Sequence, residues 1–371
     1  MRVRLLALSL LTSFALSASA AITGTVMNRD GQPLPGAKVS VFALETAEAR
    51  RARLVSRSPE RQALATAQTD SKGSYSVAVP AGPAVVDLRA EVRGYAPATL
   101  RAQRDEEVGA LPLSKADMKQ GTVTARGKGV AGATVVWMAG ASEWVAVTDS
   151  DGRYSAPDPA RWAGRMVIFH PDYALLDEAG AGPAAPLQKK GLDRSLQDGV
   201  TIGGRVLAMD GKSPAAKAAI FVDEWPVAQS GDDGAFTIAH APKSWKSVQA
   251  RLGDQFGTRA AAAGPLSIRL AKAPTVSGTV RDAKSRLPLQ HTEVRVSSRN
   301  FGDPRAVTYS TFTDAKGTYS LSVVPGTFDA SAWRVEYATS ESPVTLSPGE
   351  SVQRAFNLNP LARISGTVVD E

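Results

Sequence analysis

Apolar residues recur at every second position in short runs along most of this chain, from Ala37-Lys38-Val39-Ser40-Val41 near one end to Thr292-Glu293-Val294-Arg295-Val296 near the other. A period of two marks a strand with one buried face, so Ala37, Val39 and Val41 are expected inward and Lys38 and Ser40 outward. Tyr75-Ser76-Val77-Ala78-Val79 and Leu266-Ser267-Ile268-Arg269-Leu270 alternate in the same way. Gly, Pro and Asp clusters break the runs at intervals of roughly ten residues, and helical periodicity is nearly absent. This spacing predicts an all-β chain of small antiparallel sandwiches. One segment departs from it: an insertion at 45–68, rich in Ala, Glu, Arg and Leu, is expected to form one short helix before Pro59. An Ala, Gly and Pro stretch from Ala179 to Pro186 is expected to be a flexible loop.

The strands are organised by an internal repeat. Thr23-Gly24-Thr25-Val26 recurs as Gln120-Gly121-Thr122-Val123, Gly203-Gly204-Arg205-Val206, Ser277-Gly278-Thr279-Val280 and Ser365-Gly366-Thr367-Val368. The intervals are roughly 70 to 100 residues, the length of one small sandwich rather than of a solenoid coil. Four units follow, at 21–115, 118–198, 200–272 and 274–360, and 363–371 would be the first strand of an incomplete fifth. The connections are a few residues long, which predicts a semi-rigid rod of beads.

Inside each complete unit lies a second signature: Thr69-Asp70-Ser71-Lys72-Gly73-Ser74-Tyr75, Thr148-Asp149-Ser150-Asp151-Gly152-Arg153-Tyr154, Ser230-Gly231-Asp232-Asp233-Gly234-Ala235-Phe236 and Thr313-Asp314-Ala315-Lys316-Gly317-Thr318-Tyr319. Asp70, Asp149 and Asp314 can bond their own turn backbone. Gly73, Gly152, Gly234 and Gly317 can take the positive φ the turn needs, and Tyr75, Tyr154, Phe236 and Tyr319 restart a strand. Between the two signatures stands a third element, Pro33-Leu34-Pro35-Gly36-Ala37 in unit one and Pro288-Leu289-Gln290-His291-Thr292 in unit four.

With these three motifs and a later Gly94-Tyr95, the units resemble the carboxypeptidase regulatory-like domain family. The resemblance is weaker in unit three, where Ser230-Gly231 replaces the Thr-Asp pair. It implies a transthyretin-like sandwich of about seven strands. It also implies an accessory, non-catalytic role of the kind such domains play beside secreted peptidases, polysaccharide-active enzymes and bacterial surface proteins. The fold resembles carbohydrate-binding modules as well, which makes an extracellular glycan a candidate partner.

The first twenty residues set the expected compartment. Arg2 and Arg4 precede an apolar run, Leu5 to Leu16, that ends in Ala18-Ser19-Ala20, the pattern of a cleavable secretory leader with the mature chain starting at Ala21. The run is too short for a membrane span. A secreted or periplasmic chain without cysteine must hold each module by its own apolar core. The formal net charge of +7, two units of it on the leader arginines, is spread along the chain and does not indicate nucleic-acid binding.

No chemistry of catalysis is legible. His170, His240 and His291 lie in different units without acidic or His partners at metal-ligand spacing, and no nucleophile elbow, phosphate loop or dinucleotide fingerprint occurs. Asp149-Ser150-Asp151-Gly152 looks like the start of a calcium loop but lacks the terminal Glu, and Lys72 and Lys316 stand beside the same Gly elsewhere, so no cofactor or metal is expected. Trp137 falls on the inward phase of its strand. Trp162 and Trp245 lie in loops and are the candidate sugar-stacking rings. Arg50, Arg51 and Arg53, with Arg57 and Arg61, could meet an anionic surface, although Glu45, Glu48 and Glu60 are interleaved. The expected function is that of an extracytoplasmic adhesion or scaffolding segment that spaces neighbours or binds a surface ligand. A carbohydrate-binding array and an accessory region of a secreted enzyme are the alternatives.

Overall fold

A computed structural model describes residues 20–56, 58–81, 84–139, 142–157, 165–179, 191–298 and 307–362. The leader up to residue 19, Trp162, Arg57, the stretch 180–186 and the expected fifth-unit strand lie outside them. Unit one contains β1 (Ala20–Asn28), β2 (Lys38–Phe42), α1 (Ala47–Leu54), β3 (Ala65–Gln68), β4 (Ser74–Val79), β5 (Val85–Glu91), β6 (Ala98–Gln103) and β7 (Glu107–Leu113). One sheet has the order β4-β1-β7, with β1 antiparallel to β4 and parallel to β7; the other has the order β3-β2-β5-β6. The faces between them close on Ile22, Val26, Val39, Val41, Val77 and Leu88. Units two, three and four repeat this plan around separate cores centred on Trp137, Ile220 and Val296.

The three sequence motifs tie one knot at the end of each sandwich. Val26 N–H donates to the Gly73 carbonyl at 2.8 Å, and the Val26 carbonyl accepts from Leu34 N–H at 2.9 Å. Val123, Val206 and Val280 make the same donation to Gly152, Gly234 and Gly317. Asp70 Oδ1 accepts from Lys72 and Ser74 N–H, as Asp149 and Asp314 do in their turns. In unit three Gly231 lacks that carboxylate, and Asp233 Oδ1 accepts from Ala235 N–H instead. Gly73 sits at φ +74°, where a Cβ would stand 2.5 Å from the Val26 carbonyl, so only glycine fits. Each signature aromatic lies opposite a first-motif glycine: Gly24 pairs with Tyr75, Gly121 with Tyr154, Gly204 with Phe236 and Gly278 with Tyr319. The ring covers the backbone left bare by the missing side chain.

The first residue of the signature makes the most buried link. Thr69 Oγ1 donates to the Leu34 carbonyl at 2.6 Å and accepts from Ala37 N–H at 2.8 Å. Thr148, Ser230 and Thr313 bridge the same two groups in their units. The hydroxyl is therefore the element of the Thr-Asp pair that unit three retains. His291, at φ +55°, occupies the left-handed turn position held by Gly36 in unit one, Gly132 in unit two and Lys217 in unit three.

Two expectations fail together. The units do not string out as a rod, because their second sheets converge on α1. Ser40, expected outward, is buried at 3% exposure, since the insertion folds over that face of β2 and sets Arg61 4.7 Å above the Phe42 ring. The short links bring modules close enough for their polar outer faces to pair, and those pairs replace the solvent that a rod would keep there.

Candidate functional site

Helix α1 forms because Thr46 caps it, its hydroxyl accepting from Ala49 N–H at 3.2 Å, and because the interior carries no Gly, Pro or β-branched residue. Three arginines of the helix reach the other units, two of them sharing one carboxylate. Arg50 meets Glu143 of unit two at 2.8 Å. Arg51 donates to the Thr308 carbonyl of unit four at 2.9 Å and lies 3.6 Å from Glu224 of unit three. Arg53 pairs with Glu45 beside it and with Glu143, both at 2.8 Å. At the helix start, Ala47 N–H donates to Ser310 Oγ of unit four at 2.8 Å, and Ser310 N–H donates to Glu48 at 3.2 Å.

These contacts belong to two chains of charge. One alternates without interruption from Arg295 to Glu293, Arg101, Asp87, Arg61, Glu45, Arg53, Glu143 and Arg50, crossing from unit four through unit one to unit two. The other runs from the Thr308 carbonyl through Arg51 and Glu224 to Arg165 and Asp177, and Asp177 also accepts from the Trp225 indole N–H at 3.0 Å, so it touches all four units. A small apolar cluster of Leu54, Val136, Val167 and Trp225 sits under the helix and joins units one, two and three.

Burial and pairing compete at each carboxylate. Burial alone would push the Glu143 carboxyl up, but Arg50 and Arg53 together hold it below its usual value. Glu293 is likewise buried yet held low by Arg295 and Arg101. At Glu224 burial wins, and the carboxyl is pushed up in spite of Arg165 and Arg51. Ion pairs of this kind roughly cancel their own desolvation, so they fix which surfaces meet more than they stabilise the meeting.

A cavity of about 1240 Å³ opens beside α1, lined by Arg51, Arg101, Glu143, Glu224, Trp225 and Trp333 among others. A second, of about 660 Å³, lies between units two and three near His170, Tyr173 and His240. No group of three or more His, Cys, Asp or Glu is placed to hold a metal among the described residues. Of the arginines read from sequence as anion contacts, Arg50, Arg51, Arg53 and Arg61 are brought together here, but their partners are carboxylates and carbonyls of the same chain. Trp137 is core at 4% exposure, and Trp245 is half-buried against the core of unit three. The turn residues Asp70, Gly73, Tyr75 and their counterparts lie away from α1, in the knots.

Glu143, Arg165, Glu224 and Glu293 were not singled out by sequence, yet a signal for the junction was present. Val135-Val136-Trp137-Met138 and Met166-Val167-Ile168-Phe169 are continuous apolar runs rather than alternating ones, the mark of strands buried on both faces. Val135, Trp137, Met166 and Ile168 fill the core of unit two, while Val136 and Val167 face the junction.

No curated protein matches this chain. Among solved structures it aligns with the Bacillus anthracis TIE protein at 9% identity, covering 87% of this chain and 68% of that one at a TM-score of 0.21. It aligns with a streptococcal ancillary pilin at 11% identity, covering 93% and 100% at 0.20, and with the major pilin subunit of Bacillus cereus at 10%, covering 92% and 99% at 0.20. Superpositions this loose carry no weight beside the strand pairings above. Residues 21–110 and 275–359 match the carboxypeptidase regulatory-like domain. These stretches coincide with the two units in which all three motifs are complete, and units one and four of this chain are carboxypeptidase regulatory-like domains.

Proposed function

We propose that this chain is a non-catalytic, extracytoplasmic scaffold that holds four β-sandwiches in one fixed arrangement and presents their outer loops to a surface protein. The observation that carries this reading is the junction. Its buried charges are spent on one another across unit boundaries, as an assembly device requires, and are not left as an isolated acid, base or nucleophile facing the cavity. The leader-like first twenty residues support export, and no helix among the described residues is long and apolar enough to cross a membrane.

The test combines shape with chemistry. Small-angle scattering of the purified chain is expected to give a compact particle in place of an extended four-bead rod. Chromogenic peptide, ester and glycoside substrates are expected to show no turnover above blank. Turnover that persists through repurification and disappears in Glu143→Gln or Glu224→Gln would overturn the non-catalytic reading. Sequencing the amino terminus of the exported protein tests the compartment, with Ala21 as the expected first residue.

A further inference from the structure

We propose that unit one is an exchangeable clasp: the cradle that units two to four form around α1 also accepts α1 from a second copy of this chain, so the protein self-associates by reciprocal exchange. This goes beyond the scaffold reading and does not depend on it.

The first ground is that unit one does not need its helix. The core between its two sheets contains no residue of α1, and Leu54, the apolar residue the helix buries most deeply, packs against Val136, Val167 and Trp225 of other units. The second is charge complementarity. The helix offers Arg50, Arg51 and Arg53, and the cradle answers with Glu143 at 2.8 Å, Glu224 at 3.6 Å and the Thr308 carbonyl at 2.9 Å. Nothing in these contacts requires helix and cradle to share a chain. The third is the pivot. β7 ends at Leu113 and the next strand starts at Met118, and within that link the Ser114 carbonyl accepts from Ala96 N–H while Ala116 N–H donates to the Gly94 carbonyl, which ties both residues to unit one. Rotation is left to the peptide units around Asp117. A short connection between bodies joined by a polar interface is the geometry from which exchange proceeds.

Mass action sets when exchange occurs. The tether gives the chain's own helix an effective concentration on the order of millimolar, so dilute protein stays closed and monomeric. A second copy competes when chains are concentrated or when the contact within one chain is weakened.

The decisive experiment uses two full-length variants. Arg50→Glu/Arg53→Glu places an acidic helix over an acidic cradle, and Glu143→Arg places a basic helix over a basic one, so each chain repels its own clasp while the two chains complement each other. Light scattering after gel filtration is expected to give monomer mass for each alone and a species of twice that mass for the equimolar mixture. A mixture that stays monomeric, with both variants retaining β-sheet circular dichroism, would sink the proposal. Should either variant fail to fold, the otherwise unmutated chain answers the question. It has no cysteine, so Ala49→Cys on the exposed side of α1 can be labelled with donor and acceptor dyes in separate batches. Energy transfer that rises with concentration supports exchange, and none up to millimolar chain overturns it.

Discussion

The turn knots and the α1 junction are both made of buried polar groups, but they are built on opposite terms. The buried part of each knot uses neutral groups: a hydroxyl, three carbonyls and three N–H donors within one module, every one paired and repeated four times with distances that agree to 0.1 Å, while the turn carboxylates of Asp70, Asp149 and Asp314 stay exposed. The junction uses ionised groups drawn from four modules, and it occurs once. A neutral group with its partners at hand loses little on burial, whereas a charge must recover a large desolvation cost from a partner that arrives only when the modules dock. The difference predicts where this protein tolerates change. The knots should fail locally and completely, and the junction should loosen without unfolding any module.

The sharpest break of a knot is Gly73→Val. Its Cβ would meet the Val26 carbonyl in a left-handed conformation that Val resists, and unit one is expected to lose about 4 kcal/mol in denaturant unfolding while the other three units hold. Equal losses in all units would show that the modules are not independent. Next comes Glu143→Gln, which strips Arg50 and Arg53 of a shared carboxylate and is expected to weaken docking of α1 by about 3 kcal/mol, read as faster amide exchange in the helix with the module cores unchanged. The same variant carries a pH signature. Glu143 is held below its ordinary value in the docked state, so its contribution is present above the ordinary carboxylate range and is lost as pH falls through the lowered value. Glu293 has the same sign, and Glu224, pushed up, has the opposite one. Acid should therefore lower the protection of the α1 amides relative to their intrinsic exchange rate at each pH in the parent chain, and less so in Glu143→Gln.

Thr69→Val is a milder break of a knot. It removes a hydroxyl that serves both the Leu34 carbonyl and Ala37 N–H and should cost about 2 kcal/mol in unit one; Ser230→Ala should do the same in unit three if the hydroxyl is what matters there. The smallest effect separates two tyrosines of the same signature. Tyr154 donates to the Leu192 carbonyl at 2.6 Å, while the buried Tyr75 hydroxyl has no partner. Tyr154→Phe should cost about 1 kcal/mol and Tyr75→Phe nothing, a contrast measurable in denaturant midpoints and foreshadowed by Phe236 in unit three.

How much of this could be read in advance follows from the same contrast. Alternation and the glycine turns locate the strands, the hairpins and the inward face of β2, because each depends on neighbours a few residues away. The short helix before Pro59 was also within reach. Arg50, Arg51 and Arg53 stood out as a charged group, but their partners Glu143, Glu224 and Thr308 lie roughly 90 to 260 residues away, and no local rule pairs them. Ser40 was assigned to solvent because a period of two cannot say what covers the second face of a sheet.

By itself, then, the chain determines four sandwiches and the knot that closes each, since those rest on backbone geometry, turn chemistry and a two-residue period carried within every repeat. Only the tertiary structure decides that the modules gather around α1 instead of trailing in line. That choice depends on desolvated charges meeting across unit boundaries, and such a balance is set by three-dimensional proximity.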